Sequence, residues 1–102
     1  MLWEKIMKKG YIIGQITITD PEKYRKYASS TQEIVQKFGG KYLVRGGDQD
    51  VKEGNPSGNR DVVVEFESLE KAKKFYNSEE YRKIIDIRKE NSDGYIILVE
   101  GY

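Results

Sequence analysis

The 102-residue sequence contains neither cysteine nor histidine. The absence of cysteine excludes disulfides, thiolate nucleophiles and zinc–thiolate sites, and it is typical of a cytoplasmic protein, the location we predict. The absence of histidine excludes a histidine general base, a histidine-ligated haem and the usual catalytic metal sets. We therefore predict no metal site and no cofactor.

The sequence also lacks an excess of charge and a long apolar run. It has 18 basic and 17 acidic residues, which give a formal net charge of +1. Such a chain has no field of one sign that would attract nucleic acid or an anionic membrane. No apolar segment of the sequence approaches the roughly 18 residues that a membrane-spanning helix requires. We predict partners of neither kind.

The pattern of apolar residues predicts one small domain with four strands. Residues 1–8 have no regular pattern and are predicted to be an N-terminal extension, and residues 9–102 are predicted to be the domain. Runs of β-favouring residues predict strands over residues 11–19, 41–45, 60–67 and 95–99.

Capping residues mark the predicted helices that lie between these strands. Asp20-Pro21-Glu22 is a typical helix start, and the helix is expected to run to about Phe38. Ser68 is a predicted N-cap for a helix over residues 69–76, and Ser78 for a second helix. The second helix places four residues on one face: Tyr81, Ile84, Ile85 and Arg88. A polar turn over residues 91–94 is expected to end it.

The element order β-α-β-β-α-β predicts an α+β, ferredoxin-like fold with helices on one face of an antiparallel sheet. The other face of the sheet would carry one phase of the last strand and the following residues: Tyr11, Ile13, Gln15, Thr17, Val63 and Glu65. That surface is too apolar for water and too polar for a simple core. A second subunit is therefore expected to cover it, which predicts a homodimer.

Several segments together resemble a known family. They are KGY at residues 9–11, TDPEKYRKY at 19–27, FGGKYLVRGG at 38–47, VVEFESLEKAKKFYNSEEY at 63–81, Arg88, and LVEGY at 98–102. The sequence is similar in these segments to the bacterial domain-of-unknown-function 1330 family, within the dimeric α/β-barrel superfamily. The resemblance covers nearly the whole chain from Lys9, and residues 1–8 and the long loop over residues 48–59 depart from it.

This resemblance implies two ferredoxin-like subunits whose sheets close into a shared barrel. It implies no reaction, because the family is uncharacterised. The superfamily includes cofactor-independent monooxygenases, lactone isomerases, haem-degrading enzymes and small-molecule sensing domains, so the fold does not choose a function.

Two arginines are candidate ligand-binding residues. Arg88 shares a helical face with apolar residues, where a charge is costly unless it is paired. A snorkelling side chain or a salt bridge to Glu65 or Glu100 would explain it, and so would a guanidinium that binds a carboxylate or an enolate. Arg45 precedes Gly46-Gly47, which indicates either a bulge beside a surface arginine or an arginine at a pocket mouth.

Polar groups near these arginines complete the candidate site. Glu65 and Gln15 are expected to form a polar spot on the inter-subunit face of the sheet. Desolvation there would raise the pKa of Glu65 and make it a candidate general base, while the alternative is a structural partner for an arginine. Tyr27 and Tyr81 face the sheet from the helices, either as core residues or as the lining of a pocket.

Two functional hypotheses follow. The leading one is a cytoplasmic homodimer that binds an apolar or anionic small molecule through Arg45, Arg88, Tyr81, Tyr27 and Gln15. The alternative is a cofactor-independent enzyme acting by proton transfer or oxygenation, with Glu65 as the base, an arginine as the anion clamp and a tyrosine as donor. The missing histidine counts against the enzyme. A purely structural role would instead predict a fully packed barrel without a cavity.

Overall fold

The computed structural model of the chain describes residues 8–102, which form four strands and four helices. In chain order these are β1 (Gly10–Ile18), α1 (Pro21–Lys37), β2 (Lys41–Arg45), β3 (Arg60–Phe66), α2 (Leu69–Tyr76), α3 (Glu79–Arg82), α4 (Ile85–Glu90) and β4 (Ser92–Glu100). Residues 1–7 of the predicted N-terminal extension lie outside the described residues.

The four strands form one antiparallel sheet in the order β2-β3-β1-β4. The helices lie on one side of this sheet, and the strand order is that of a ferredoxin-like fold. The predicted α+β class, element order and sheet arrangement are confirmed.

Alternation along β1 separates the two faces of the sheet. Ile12 and Ile16 are buried beneath the helices, and Ile12 pairs with Val64 of β3, which is also buried. The alternate residues of β1 lie on the opposite face, which the helices leave open, as predicted. On this open face β4 carries Tyr95, Ile97 and Val99, whose side chains are 40–47% exposed. Such exposure is unusual for large apolar side chains in a sheet.

Local capping chemistry begins the two longest helices where the sequence indicates. The Asp20 carboxylate accepts a hydrogen bond from the backbone N–H of Lys23 at 3.1 Å and caps α1. The Ser68 hydroxyl accepts one from the backbone N–H of Lys71 at 3.2 Å and caps α2. Gly39 follows α1 with φ of 77°, a conformation that glycine adopts without strain.

The segment after Ser78 differs from the prediction. It forms two short helices instead of one, because the N–H groups of Ile84 and Ile87 bond three residues back and tighten the chain between α3 and α4. The predicted polar turn over residues 91–94 is wrong, since β4 already begins at Ser92. Gly94, with φ of 136°, packs directly on the backbone of Gln15, where a side chain would collide.

Candidate functional site

A cavity of about 50 Å³ lies between the helices and the sheet. Aliphatic side chains of β1, β3 and β4 form its floor: Ile12, Ile16, Val62, Val64 and Ile96. Five tyrosines and three arginines also line it: Tyr24, Tyr27, Tyr42, Tyr76, Tyr81, Arg45, Arg60 and Arg88. Among residues 8–102 no aspartate or glutamate lines this cavity. The cavity therefore combines apolar walls with an uncompensated positive charge.

Arg88 supplies the most deeply buried charge of the cavity, with only 9% of its surface exposed. Its Nε donates a hydrogen bond to the Tyr81 hydroxyl at 3.3 Å. Within the described part of the chain no carboxylate forms an ion pair with it, so the salt bridge to Glu65 or Glu100 that would explain a buried arginine is not formed. Burial lowers the pKa of Arg88 and the nearby tyrosines raise it. Together the tyrosines outweigh burial, so the pKa lies above its ordinary value and the guanidinium stays charged.

The tyrosines place neutral hydroxyl groups beside this charge. The hydroxyls of Tyr27 and Tyr81 lie 2.7 Å apart and share a hydrogen bond. Burial is the main cause that raises the pKa of Tyr27 well above its ordinary value, and it also raises the pKa of Tyr24 and of Tyr42. These three hydroxyls therefore stay protonated at neutral pH, and each can donate a hydrogen bond to an anion.

Arg45 lies at the mouth of the cavity and is exposed. Its two terminal nitrogens donate to the backbone oxygen of Ala28 at 2.7 Å and to the side-chain oxygen of Gln32 at 3.2 Å. Its guanidinium carbon lies 4.4 Å from the centroid of the Tyr42 ring, a cation–π distance. Arg45 thus connects β2 to α1 across the mouth of the cavity.

Arg60 is a cavity residue that the sequence interpretation missed. Its Nε is buried and has no hydrogen-bond partner among the described residues. Its guanidinium packs on Gly46 and lies 5.8 Å from the centroid of the Tyr24 ring. The signal was its position in β3, since Arg60 has the same phase as Val62 and Val64 and must point toward the helices.

Glu65 and Gln15, in contrast, lie on the open face of the sheet. Glu65 accepts a hydrogen bond from the Tyr11 hydroxyl at 3.1 Å. The Gln15 side chain donates to Asp61 at 2.9 Å and accepts from the backbone N–H of Ser57 at 2.8 Å. The structure therefore brings together four of the six predicted site residues around one cavity, and the sheet separates the other two from them within one chain.

The comparisons with known proteins show a family and a fold. A family model described as a domain of unknown function (DUF1330) matches residues 9–102, so the chain belongs to that family. A comparison with the curated proteins finds no significant match.

Solved structures with the same fold are distant in sequence. A protein of unknown function from Rhodopseudomonas palustris is 13% identical, with a TM-score of 0.73 over 94% of this chain and 84% of that one. A conserved protein from Methanosarcina mazei is 14% identical, with a TM-score of 0.53 over 96% of this chain and 95% of that one. At these identities the likeness shows the fold alone.

Residues 8–102 contain no cluster of three acidic side chains that could hold a metal ion. In the same residues no helix is both long and apolar enough to cross a membrane.

Proposed function

We propose that this member of the DUF1330 family binds a small anionic molecule with a short apolar part, and that it acts as a cytoplasmic homodimer. The observation that carries the proposal is Arg88, which is buried in the cavity without a carboxylate partner among the described residues. Its neighbours in the cavity are hydroxyl donors and aliphatic side chains.

The buried charge of Arg88 favours an anionic ligand. A guanidinium taken out of water costs several kcal/mol unless an anion compensates it. A carboxylate supplies the missing charge and accepts two parallel, charge-assisted hydrogen bonds from one guanidinium. The hydroxyls of Tyr24 and Tyr27 add neutral donors, and the aliphatic floor favours a hydrocarbon portion over further polar groups.

The size of the cavity limits the ligand. A volume of about 50 Å³ holds roughly three to five water molecules. Sites for drug-sized ligands are much larger, at roughly 300–1,000 Å³. The cavity therefore suits a short-chain carboxylate.

Calorimetric titration with propionate tests the binding proposal. We expect saturable binding of propionate but not of propylammonium, which has the same chain length and the opposite charge. Arg88→Gln should abolish the binding, whereas Arg25→Gln, on the exposed face of α1, should leave it unchanged. Equal binding of both compounds, or undiminished binding by Arg88→Gln, would contradict an anion site at Arg88.

The open face of the sheet supports the homodimer. Ile97 is 47% exposed and Val99 is 40% exposed on this face, beside the less exposed Ile13 and Val63. An apolar sheet face of this kind is typical of a contact with a second copy, because a two-fold axis buries the same patch on both subunits.

Size-exclusion chromatography with light scattering tests the assembly. We expect a dimer for the unchanged chain and a monomer for Ile97→Lys, because each subunit would then bury a lysine in the interface. Ser30→Lys adds the same charge on the exposed side of α1 and should remain dimeric. A monomeric unchanged chain would refute the assembly without affecting the cavity.

The enzyme alternative receives less support from the geometry. It requires Glu65 to act on a molecule that Arg45 or Arg88 holds, yet the sheet lies between that carboxylate and these arginines within one chain. Binding therefore remains the function that we propose.

A further inference from the structure

The three arginines of the cavity differ in how their donors are used. Arg45 is exposed and donates from both terminal nitrogens to groups on α1, so solvent hydrates its charge and these contacts hold its guanidinium in place. Arg88 donates only from Nε, to the Tyr81 hydroxyl, among the described residues. The Nε of Arg60 is buried and has no partner there. The guanidiniums of Arg60 and Arg88 therefore keep donors that can bind an anion.

These two guanidiniums converge on one side chain. Burial raises the pKa of Tyr24, and the charges of Arg60 and Arg88 both act in the opposite direction. The Arg60 guanidinium lies 5.8 Å from the centroid of the Tyr24 ring. Arg60, the first residue of β3, and Arg88, from α4, both line the same cavity as Tyr24. A molecule beside Tyr24 can be reached from the sheet side and from the helix side at once.

The charge balance indicates how many negative charges such a molecule carries. These two guanidiniums face a cavity that no acidic side chain of residues 8–102 lines. A monoanion bound at Arg88 would leave Arg60, which is half-buried and has a buried Nε without a partner among the described residues, without a counter-charge. A dianion compensates both, with a separate pair of charge-assisted hydrogen bonds at each end.

We propose that the ligand of this cavity is a short dicarboxylate that Arg88 binds at one end and Arg60 at the other. This inference rests on the proposed anion-binding function and names its ligand class. The aliphatic residues Val62 and Ile96 in the floor of the cavity favour a carbon chain between the two charges over a compact phosphate. The volume of about 50 Å³ limits that chain to about two or three carbons in total, carboxyl carbons included.

The test compares malonate, propionate and inorganic phosphate by calorimetric titration at constant ionic strength. Malonate and propionate both contain three carbons and differ in the second carboxylate. We expect malonate to bind at least about tenfold more tightly than propionate, because it engages a second guanidinium. Arg60→Gln should weaken malonate binding at least about tenfold more than propionate binding, and Arg60→Lys should recover part of the loss. Arg25→Gln is the matched control and should change neither affinity.

Other results of these titrations would contradict the dicarboxylate, the ligand class or the anion site. Equal affinities for malonate and propionate would overturn the dicarboxylate assignment while leaving the proposed anion site intact. Tighter binding of phosphate than of malonate would overturn the ligand class. Binding of none of the three would overturn both this inference and the proposed function. Because the first comparison uses the unchanged chain, it does not depend on the folding of any Arg60 variant.

Discussion

Replacement of Arg88 by methionine should separate the stability of the protein from its ability to bind an anion. Methionine has a similar length and flexibility but no charge. Arg88 is 9% exposed, and its side chain makes one hydrogen bond with the described residues, to the Tyr81 hydroxyl. The loss of this one bond has to be weighed against the loss of a buried charge.

The expected change in stability is small or favourable. A hydrogen bond that involves a charged group contributes about 1.5–3 kcal/mol. Burial of the guanidinium without a carboxylate partner carries a desolvation cost, which the nearby tyrosines counteract and the substitution removes. The Tyr81 hydroxyl keeps its bond to Tyr27 and is not left unsatisfied. We expect the free energy of unfolding to stay unchanged or to rise by about 1 kcal/mol, which would raise the midpoint of thermal unfolding by roughly 4–8 °C.

The expected change in binding is large and unfavourable. Loss of one partner of a buried, hydrogen-bonded charge pair costs about 2–5 kcal/mol. This corresponds to an affinity for malonate that is lower by about 30-fold to several thousand-fold. A substitution that leaves or raises stability while it abolishes binding is typical of a charge kept for function.

The assay combines thermal unfolding, followed by near-ultraviolet circular dichroism, with calorimetric titration of malonate. Arg25→Met, the same chemical change on the exposed face of α1, should alter neither measurement. The reasoning is refuted if Arg88→Met unfolds far below the unchanged chain and still binds malonate, because Arg88 would then be a structural residue.

Two further substitutions and a change of pH test the cavity and the helix that carries Tyr81. Gly46→Ala should weaken malonate binding, because a Cβ at this position would displace the Arg60 guanidinium. Gly54 has a similar positive φ but no neighbour within 4 Å of an added Cβ, so Gly54→Ala should lower stability without changing binding. Calorimetric titration and thermal unfolding of both variants check this. Ser78→Ala should lower the free energy of unfolding by about 0.5–2 kcal/mol in urea denaturation, because it removes the N-cap of α3. Stability should fall as pH rises above about 10, because the pKa of Tyr27 is higher in the folded state than in the unfolded state. Above that pH the unfolded state binds fewer protons than the folded state, so rising pH favours unfolding. Constant stability in denaturant unfolding between about pH 7 and 11 would contradict this.

The helix starts could be predicted because they depend on neighbours in sequence. Asp20 and Ser68 bond to N–H groups three residues ahead, so their roles are visible without the sheet. The start of β4 could not be predicted in this way. Ser92 and Gly94 resemble turn residues, and only their pairing with β1 makes them part of the strand.

The candidate site was predictable to the extent that periodicity places side chains on faces. Helical spacing put Arg88 and Tyr81 on one side of their segment, and the structure keeps them together although that segment forms two helices. Arg60 was missed because a charged residue at a strand end is usually exposed. Its alternation with Val62 and Val64 nevertheless places it on the face that the helices cover. Alternation along β3 correctly predicted the open face for Glu65, and only its proposed role beside the arginines goes beyond what the strand pattern shows.

The most direct test of the central claim is an NMR titration that observes the Nε–Hε groups of the arginines as malonate is added. Arg60→Gln and Arg88→Gln assign the two signals of the cavity. We expect saturable shifts of both signals at one common affinity, with no shift for the exposed Arg25. Unchanged cavity signals at every malonate concentration, or equal non-saturable shifts of all arginines, would contradict an anion-binding site between the helices and the sheet.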